Sequence, residues 1–518
     1  MSTGRLARAG MAVAVFGLLS RFLGYGREKV LAVFYGSTGQ TDSYVNALNL
    51  VNVGAALLLY ALTTVVIPTF AQEEQDHGED SAWRLMWAIA AWVSIALAAV
   101  TAVIALFPEP VAAIYQQDAH GQAQTARLIT IMAPALFAQG VSALFTALLQ
   151  IHGRFAMPAA IGVAFNLGII VGVVAGAGHF GIRAAAWGVT AGAALQVVLQ
   201  LPQFLTLARR QGTRPAMAHP RLTAVALISL PVFGASALQQ VNSFTDRMFA
   251  STLEAGRNTN LAYANSLGAL PRMLLLTPFL TPLFPLVARM VAERRDDDAV
   301  RGMMRTAGLL GLVGVPTTLL MTLYAHETAQ ILFAGGKCQV DCVNNIGSPL
   351  AFYGLATLGN FMSIFFNRAL AAAGLQRAIL NATVIVVVVT IALDWLLLGP
   401  MDQAGLAAAS AIGVYLNLVL YAVSLRGRFP TLSMRRLTHQ QARLLMCAAP
   451  ALAVVLLQDR LMPTDHGHGV VLVVQLAEKV VLATAAYLAA AWVWARPELR
   501  EAQRAAGSLV RRRRPATP

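Results

Sequence analysis

Charge is what this chain has least of. Only 12% of its 518 residues are Asp, Glu, Lys or Arg, where an ordinary globular chain carries about 25%. Acidic residues are the scarcer sign, 24 against 38 basic, for a net charge of +14. The basic excess sits in short segments between apolar runs and not on a soluble basic domain, which argues against a nucleic-acid partner. Cysteine is nearly absent, at three. Cys447 lies in an apolar stretch and reads as packing. Cys338 and Cys342 flank a Gln339-Val340-Asp341 turn in an expected outer loop, where a small disulfide and two free thiols are equally consistent. No phosphate-binding P-loop, zinc motif or nucleophile elbow occurs. The nine histidines are scattered, mainly in loops. No enzymatic chemistry, cofactor or metal is therefore expected. With no ATPase domain, any uphill transport has to draw on an ion gradient, the membrane potential or a downhill substrate.

Apolar residues fill the space that charge leaves. They make up 57% of the chain, and mean hydropathy is +0.63. Runs long enough to cross roughly 30 Å of hydrocarbon recur throughout. They fall at 9–35, 43–71, 82–107, 125–151, 155–178, 183–208, 222–251, 261–291, 299–325, 347–374, 376–399, 403–426, 439–458 and 469–494. The expected fold is an all-α polytopic membrane protein with about fourteen spans. Arg5 and Arg8 precede the first run as in a signal peptide, but no small-residue cleavage site follows, so a retained helix is expected.

Loop charge orients the spans. With the N-terminus inside, the inner loops hold Arg209, Arg210, Arg214 and Arg221, then Arg289, Arg294, Arg295, Arg301 and Arg305. Arg426, Arg428, Arg435, Arg436 and Arg443 follow, and the Arg511–Arg514 run closes the tail. The tally is roughly 26 basic residues inside against about 5 outside, which places both termini in the cytoplasm. One inner loop is acidic, with Glu73, Glu74, Asp76, Glu79 and Asp80. The orientation rule counts Lys and Arg, so this loop does not overturn it.

The halves resemble each other at a separation of about 220 residues. Tyr44-Val45-Asn46-Ala47-Leu48 matches Tyr263-Ala264-Asn265-Ser266-Leu267, Arg27-Glu28 matches Asp246-Arg247, and Gly181-Ile182-Arg183 matches Gly405-Leu406-Ala407. Six spans per copy return the chain to the same side, so the copies share one orientation. The expected domains are an N-terminal lobe at 1–215, a C-terminal lobe at 216–430, two extra helices at 431–495 and a basic tail at 496–518.

A charge at mid-membrane costs about 2.5–3.5 kcal/mol on insertion scales, so charges kept there mark a cavity or a partner. The first span carries Arg21, Arg27, Glu28 and Lys29; Arg21, Tyr25 and Glu28 share a face, and Gly24 and Gly26 permit a bend. The second carries Asp42, Asn46 and Asn49 at the same helical spacing, with Asn52 beside them. The seventh repeats the pattern with Gln240, Ser243 and Arg247 beside Asp246. The eighth adds Asn265, Ser266 and Arg272, with Pro271, Pro278, Pro282 and Pro285 predicting a kink. Two readings are open: a polar wall that attracts an anion, and structural pairing or interhelical hydrogen bonding. Arg368, Asp394 and a Glu478-Lys479 pair are further intramembrane charges and are read as structural.

These residues resemble the MurJ/MviN family of bacterial lipid II flippases, in the MOP exporter superfamily. The likeness rests on Ser20-Arg21-Phe22-Leu23-Gly24-Tyr25-Gly26-Arg27-Glu28, Gly36, Thr41-Asp42-Ser43, Asn52, Gly153-Arg154-Phe155, Pro158, Asn166 and Tyr263-Ala264-Asn265. It implies a 14-helix fold with a central cationic cavity, in the bacterial plasma membrane. It further implies movement of lipid-linked peptidoglycan precursor from the inner to the outer leaflet by alternating access, with the last two helices forming a groove for the lipid tail. By family position Arg21, Arg27 and Asp42 match cavity residues, and guanidinium suits a diphosphate. Three positions depart from the family pattern. Ala55 and Ser266 stand where arginine is usual, and Tyr60 where an acid is. These departures keep two alternatives open: a flippase for another polyprenyl-pyrophosphate-linked saccharide, and a non-transporting scaffold of the same fold. Membrane lipids are the other expected partners.

Overall fold

The computed structural model describes residues 3–116, 118–212, 215–276, 287–461 and 470–511. Among these residues the regular structure is helical, apart from an isolated bridge between Gly335 and Cys338. The N-terminal half contains α1 (Thr3–Tyr35), α2 (Gly39–Ala61), a π-helical turn (Leu62–Val66), α3 (Ile67–His77), α4 (Glu79–Leu106), α5 (Pro108–Tyr115), α6 (Ala119–Ile151), α7 (Ala156–Phe180), α8 (Arg183–Gln211) and α9 (Leu222–Ala250). Then come α10 (Arg257–Gly268), a second π-helical turn (Arg272–Leu276), α11 (Asp296–Leu323), α12 (Ala325–Phe333), α13 (Val340–Leu355) and α14 (Thr357–Ala372). The chain continues through α15 (Gln376–Met401), α16 (Gln403–Arg428), α17 (Met434–Met446), α18 (Ala448–Leu461), α19 (Val470–Trp494) and α20 (Arg496–Arg511).

Ten of these helices, counting α2–α3 and α17–α18 as continuous, are long and apolar enough to cross a membrane. A further pair, α13–α14, passes as one span bent by 45°. α1, of 33 residues, and α9, of 29, match expected spans and carry the intramembrane charges. The eighth expected span begins with α10. Its Pro278, Pro282 and Pro285 lie outside the described residues. The chain is a polytopic helical membrane protein. α1 runs unbroken through Gly24 and Gly26. A Cβ on Gly24 would meet the Asn166 side chain at 3.8 Å, an ordinary packing distance.

By contacts the chain forms two units, Met1–Thr259 with Gly335–Gln339, and Asn260–Ala334 with Val340–Pro518. Lipid tails are as apolar as leucine, so helices in a bilayer associate through close packing of small residues and a few hydrogen bonds. The first unit shows both. Gly168, Gly172 and Gly176 of α7 face Ala184, Gly188 and Gly192 of α8; a Cβ on Gly168 would sit 2.4 Å from the Gly192 Cα. On the other side of α8, Gln200 Nε2 donates to Ser142 Oγ of α6 at 2.7 Å, and Thr146 Oγ1 donates to Gln200 Oε1 at 3.0 Å. The second unit buries Phe361, Phe365, Phe366 and Phe429 with Tyr487 of α19. Tyr324, Val455 and Ala483 attach α18 and α19 to it.

The structure corrects one register of the internal repeat. Pairing Gly181 with Gly405 by identity misses the turn. Gly181 has φ 55 and ψ −140, and the residue with the same geometry is Asp402, at φ 53 and ψ −141. Each opens the next helix in the same way, accepting from Ala184 N in one copy and Gly405 N in the other. The glycine at 405 answers a different need. Its absent Cβ would lie 2.3 Å from Leu397 O, whereas in the other copy Gly176 makes room for Ala184. The small residue has changed helices between the copies.

Candidate functional site

The polar stripe of α2 is held by the chain just after α9. Thr38 and Thr41 form a capping box that starts α2, which satisfies orphan amides of its first turn and fixes where Asp42 falls. The Asp42 carboxylate is buried. It accepts from Gly256 N at 2.6 Å, Thr259 N at 2.7 Å and Thr259 Oγ1 at 2.6 Å. A helix start presents unpaired N–H groups and partial positive charge, which suit a carboxylate. Arg247 interacts electrostatically with the same group. Gly256 is at φ +91, and a Cβ there would lie 2.5 Å from Ser37 O, so only glycine fits this approach.

One turn along, Asn46 is fully buried. Its Oδ1 accepts from Asn258 Nδ2 at 2.7 Å, and Asn258 Oδ1 accepts from Arg247 at 2.8 Å. The Asn258 carbonyl takes a second bond from Arg247 at 3.3 Å. The sequence singled out Asp42, Asn46 and Arg247, and the structure joins them through Asn258 and Thr259. Those two residues escaped the sequence reading because they lie in the polar first turn of α10, where Asn and Thr are ordinary.

On α1, Arg27 pairs with neighbouring Glu28 at 3.1 Å, both mostly buried. Arg21 is half-buried earlier on the same helix. Tyr44 is fully buried and interacts electrostatically with Arg27. Buried donors of α1 and α2 with no hydrogen-bond partner among the described residues include Arg27 Nε, Tyr44 Oη and Asn46 Nδ2. All three can donate. A buried donor without an acceptor costs about 1–3 kcal/mol, so this surplus suits an acceptor-rich ligand. Asn52 is exposed. In the second unit Asn265 is exposed, Ser266 is half-buried, and Arg272 is exposed at the start of its π-helical turn.

A family model described as Lipid II flippase MurJ matches residues 31–476. The chain belongs to this family. A MurJ relative from Burkholderia cenocepacia is 25% identical over 434 residues, covering 82% of this chain and 84% of its own length. A probable lipid II flippase MurJ from Bdellovibrio bacteriovorus is 24% identical, covering 92% of each. Among solved structures, a MurJ flippase in an inward closed conformation aligns with TM-score 0.78 at 16% identity, over 94% of this chain and all of its own. An inward-facing multidrug MATE transporter of the MOP superfamily aligns at TM-score 0.66 and 12% identity. These two likenesses establish the shared MurJ and MATE architecture. The family match begins at residue 31, so Arg21 and Arg27 precede it.

Elsewhere the structure redraws one pair and reveals another cluster. Lys479 is buried and bonds Asp459 of α18 at 2.6 Å, while its neighbour Glu478 is exposed. Successive helix residues point about 100° apart, so the lysine reaches across to the next helix and the expected Glu478-Lys479 pair does not form. Cys338 and Cys342 are disulfide-bonded, and Cys447 is free and buried. In the acidic loop, Glu73 is 1% exposed. It accepts from Ser81 at 2.7 Å, and His77 lies 3.1 Å and Arg221 3.0 Å from its oxygens. His219 packs beside them, 3.7 Å from Glu73 and 3.2 Å from Ser81 Oγ. Net loop charge gave no sign that one of its five acids is interior.

Proposed function

We propose that this protein is a flippase that moves lipid II, the polyprenyl-diphosphate-linked peptidoglycan precursor, from the inner to the outer leaflet of a bacterial plasma membrane. The observation that carries this reading is the family match along almost the whole chain. The site chemistry agrees with it. Arg21, Arg27 and Arg247 supply guanidinium groups suited to a diphosphate, and the surplus buried donors on α1 and α2 suit its acceptor oxygens. The lobes are taken as 1–215 and 216–430, alternating access between leaflets, with both termini in the cytoplasm and residues 431–495 forming the lipid-tail groove. An ion gradient, the membrane potential or a downhill substrate supplies any work.

The test is rescue of a strain depleted of its own lipid II flippase. Wild-type protein is expected to restore growth, and Arg27→Ala to lower rescue at equal membrane abundance. Lack of rescue by well-expressed wild-type protein overturns the reading. A second reading, export of a different polyprenyl-diphosphate saccharide, is favoured by Ala55, Tyr60 and Ser266, which depart from the family pattern in the span 2 and span 8 motifs. Accumulation of another lipid-linked glycan in a deletion strain, with lipid II flipping intact, would select it.

A further inference from the structure

The segment between α12 and α13 folds into a feature that the functional reading does not use. Residues 335–338 form a tight hairpin, in which Gly335 N donates to Cys338 O and Cys338 N to Gly335 O, both at 3.1 Å. Gly336, at the first central position, has φ 56, which glycine adopts without strain.

The hairpin closes the end of α1. The last carbonyls of a helix have no partner within it. Lys337 N donates to one of them, Val33 O, at 2.9 Å. Gly36, just past α1, has φ 69, and a Cβ there would lie 3.0 Å from Lys337 O. One residue on, Ser37 O would lie 2.5 Å from a Cβ on Gly256, whose amide donates to Asp42. The α1–α2 turn therefore touches both the hairpin and the segment that grips Asp42.

Little in the hairpin itself holds it there. Gly335, Gly336, Lys337 and Gln339 are exposed, and Cys338 is the one buried residue among them. A hairpin without a packed face is marginal in water. Its anchor is the bond from Cys338 to Cys342, in the first turn of α13. Cys342 opens a buried stripe that continues through Val343, Ile346 and Leu350. The bond thus fastens a weak element to a packed helix.

We propose that the Cys338–Cys342 bond is a redox-sensitive fastener of the α1–α2 turn, made by a dithiol oxidase on the outer face of the membrane. Disulfides persist on that oxidising side, so the proposal rests on the sidedness given above. One thiolate of the pair attacks the oxidase's disulfide, giving a mixed disulfide and one oxidase thiol. The second thiolate attacks the chain's own sulfur in that bond, which closes Cys338–Cys342 and releases the other oxidase thiol. The pair loses two electrons and two protons, and the oxidase disulfide gains both as a dithiol. The two cysteines are 0% and 7% exposed in the folded chain, so the exchange precedes docking of the hairpin on Val33.

The full chain from acid-quenched cells is denatured and labelled with a maleimide. Of its three cysteines, Cys447 alone is expected to react before reduction, and all three after it. In cells lacking outer-face dithiol oxidases all three should react before reduction. Hydrogen exchange of the native protein in lipid nanodiscs then reads the fastener. Cys342→Ala breaks the bond and keeps the Cys338 side chain. It should lower protection several-fold at Gly36, Thr38 and Lys337, and leave residues 168–192 of α7 and α8 unchanged. Cys447→Ala should alter neither region. Wild-type protein reduced with a phosphine should match Cys342→Ala, and decides the matter where that variant does not fold. Three reactive cysteines in wild type before reduction, an undiminished bond in the oxidase-deficient cells, or equal protection at Gly36 and Lys337 in bonded and reduced wild type overturns the proposal. No arm reads transport, so its failure and a failure of rescue are told apart.

Discussion

Asp42 has the appearance of a transport residue in the sequence and the connections of a structural one in the fold. Its oxygens receive three hydrogen bonds from Gly256 and Thr259. Asp42→Asn would turn an NH₂ toward one of those donors. The expected cost is about 1–3 kcal/mol, read as a lower Tm of purified protein. Gly256→Ala should cost at least as much, because the added carbon meets Ser37 O and the backbone is in the left-handed half of φ. If Asp42→Asn leaves Tm unchanged while abolishing rescue, Asp42 acts on substrate and not on the fold. The sequence could single out Asp42 because a carboxylate in an apolar span is costly. It could not reveal Thr259 as the partner, because that pairing depends on how the chain returns after α9.

At the scale of elements, the segment between α8 and α9 is latched to the α3–α4 turn. Trp92 Nε1 donates to Met217 O at 3.0 Å, and Arg221 bridges Glu73 and Asp76. His219 completes the latch. Burial pushes its pKa below the ordinary 6.5; Glu73 opposes that shift, and Arg84, His77 and Arg221 reinforce it. The folded latch therefore holds this ring neutral where the released chain would protonate it. The stabilisation is full above about pH 6.5 and declines as pH falls, levelling off below the folded value. Protection of the amides of residues 215–222 against hydrogen exchange, corrected for the intrinsic rate at each pH, should fall between pH 7.5 and 5.5, and His219→Gln should flatten that profile. An unchanged wild-type profile would exclude His219 as its source. Helix existence was legible from hydropathy because spans follow from one-dimensional composition. The Gly181 register was not, since identity of letters favoured Gly405 while backbone geometry selects Asp402.

For the whole molecule, hydropathy and the repeat make the helical architecture legible in the sequence. Sidedness rests on arginine distribution alone. A phosphatase reporter fused after Gln116 should be active, and one fused after Arg210 inactive, with a fluorescent-protein reporter giving the reverse. The opposite pattern would invert the topology and with it the direction of transport. Arg368 shows the limit of composition at this scale: hydropathy marked it as a costly charge, and the structure leaves it exposed in the last turns of α14.

The hairpin at Gly335–Gln339 belongs to the first unit although the second unit surrounds it in sequence. Lys337 N donates to Val33 O at 2.9 Å, and Gly336 approaches that carbonyl too closely for any side chain. A gene cut after Thr259 therefore does not yield two complete halves. The leading fragment lacks the piece that closes over the end of α1, and the trailing fragment carries it as an orphan. A leading fragment expressed alone carries an exposed helix end into whatever it meets first.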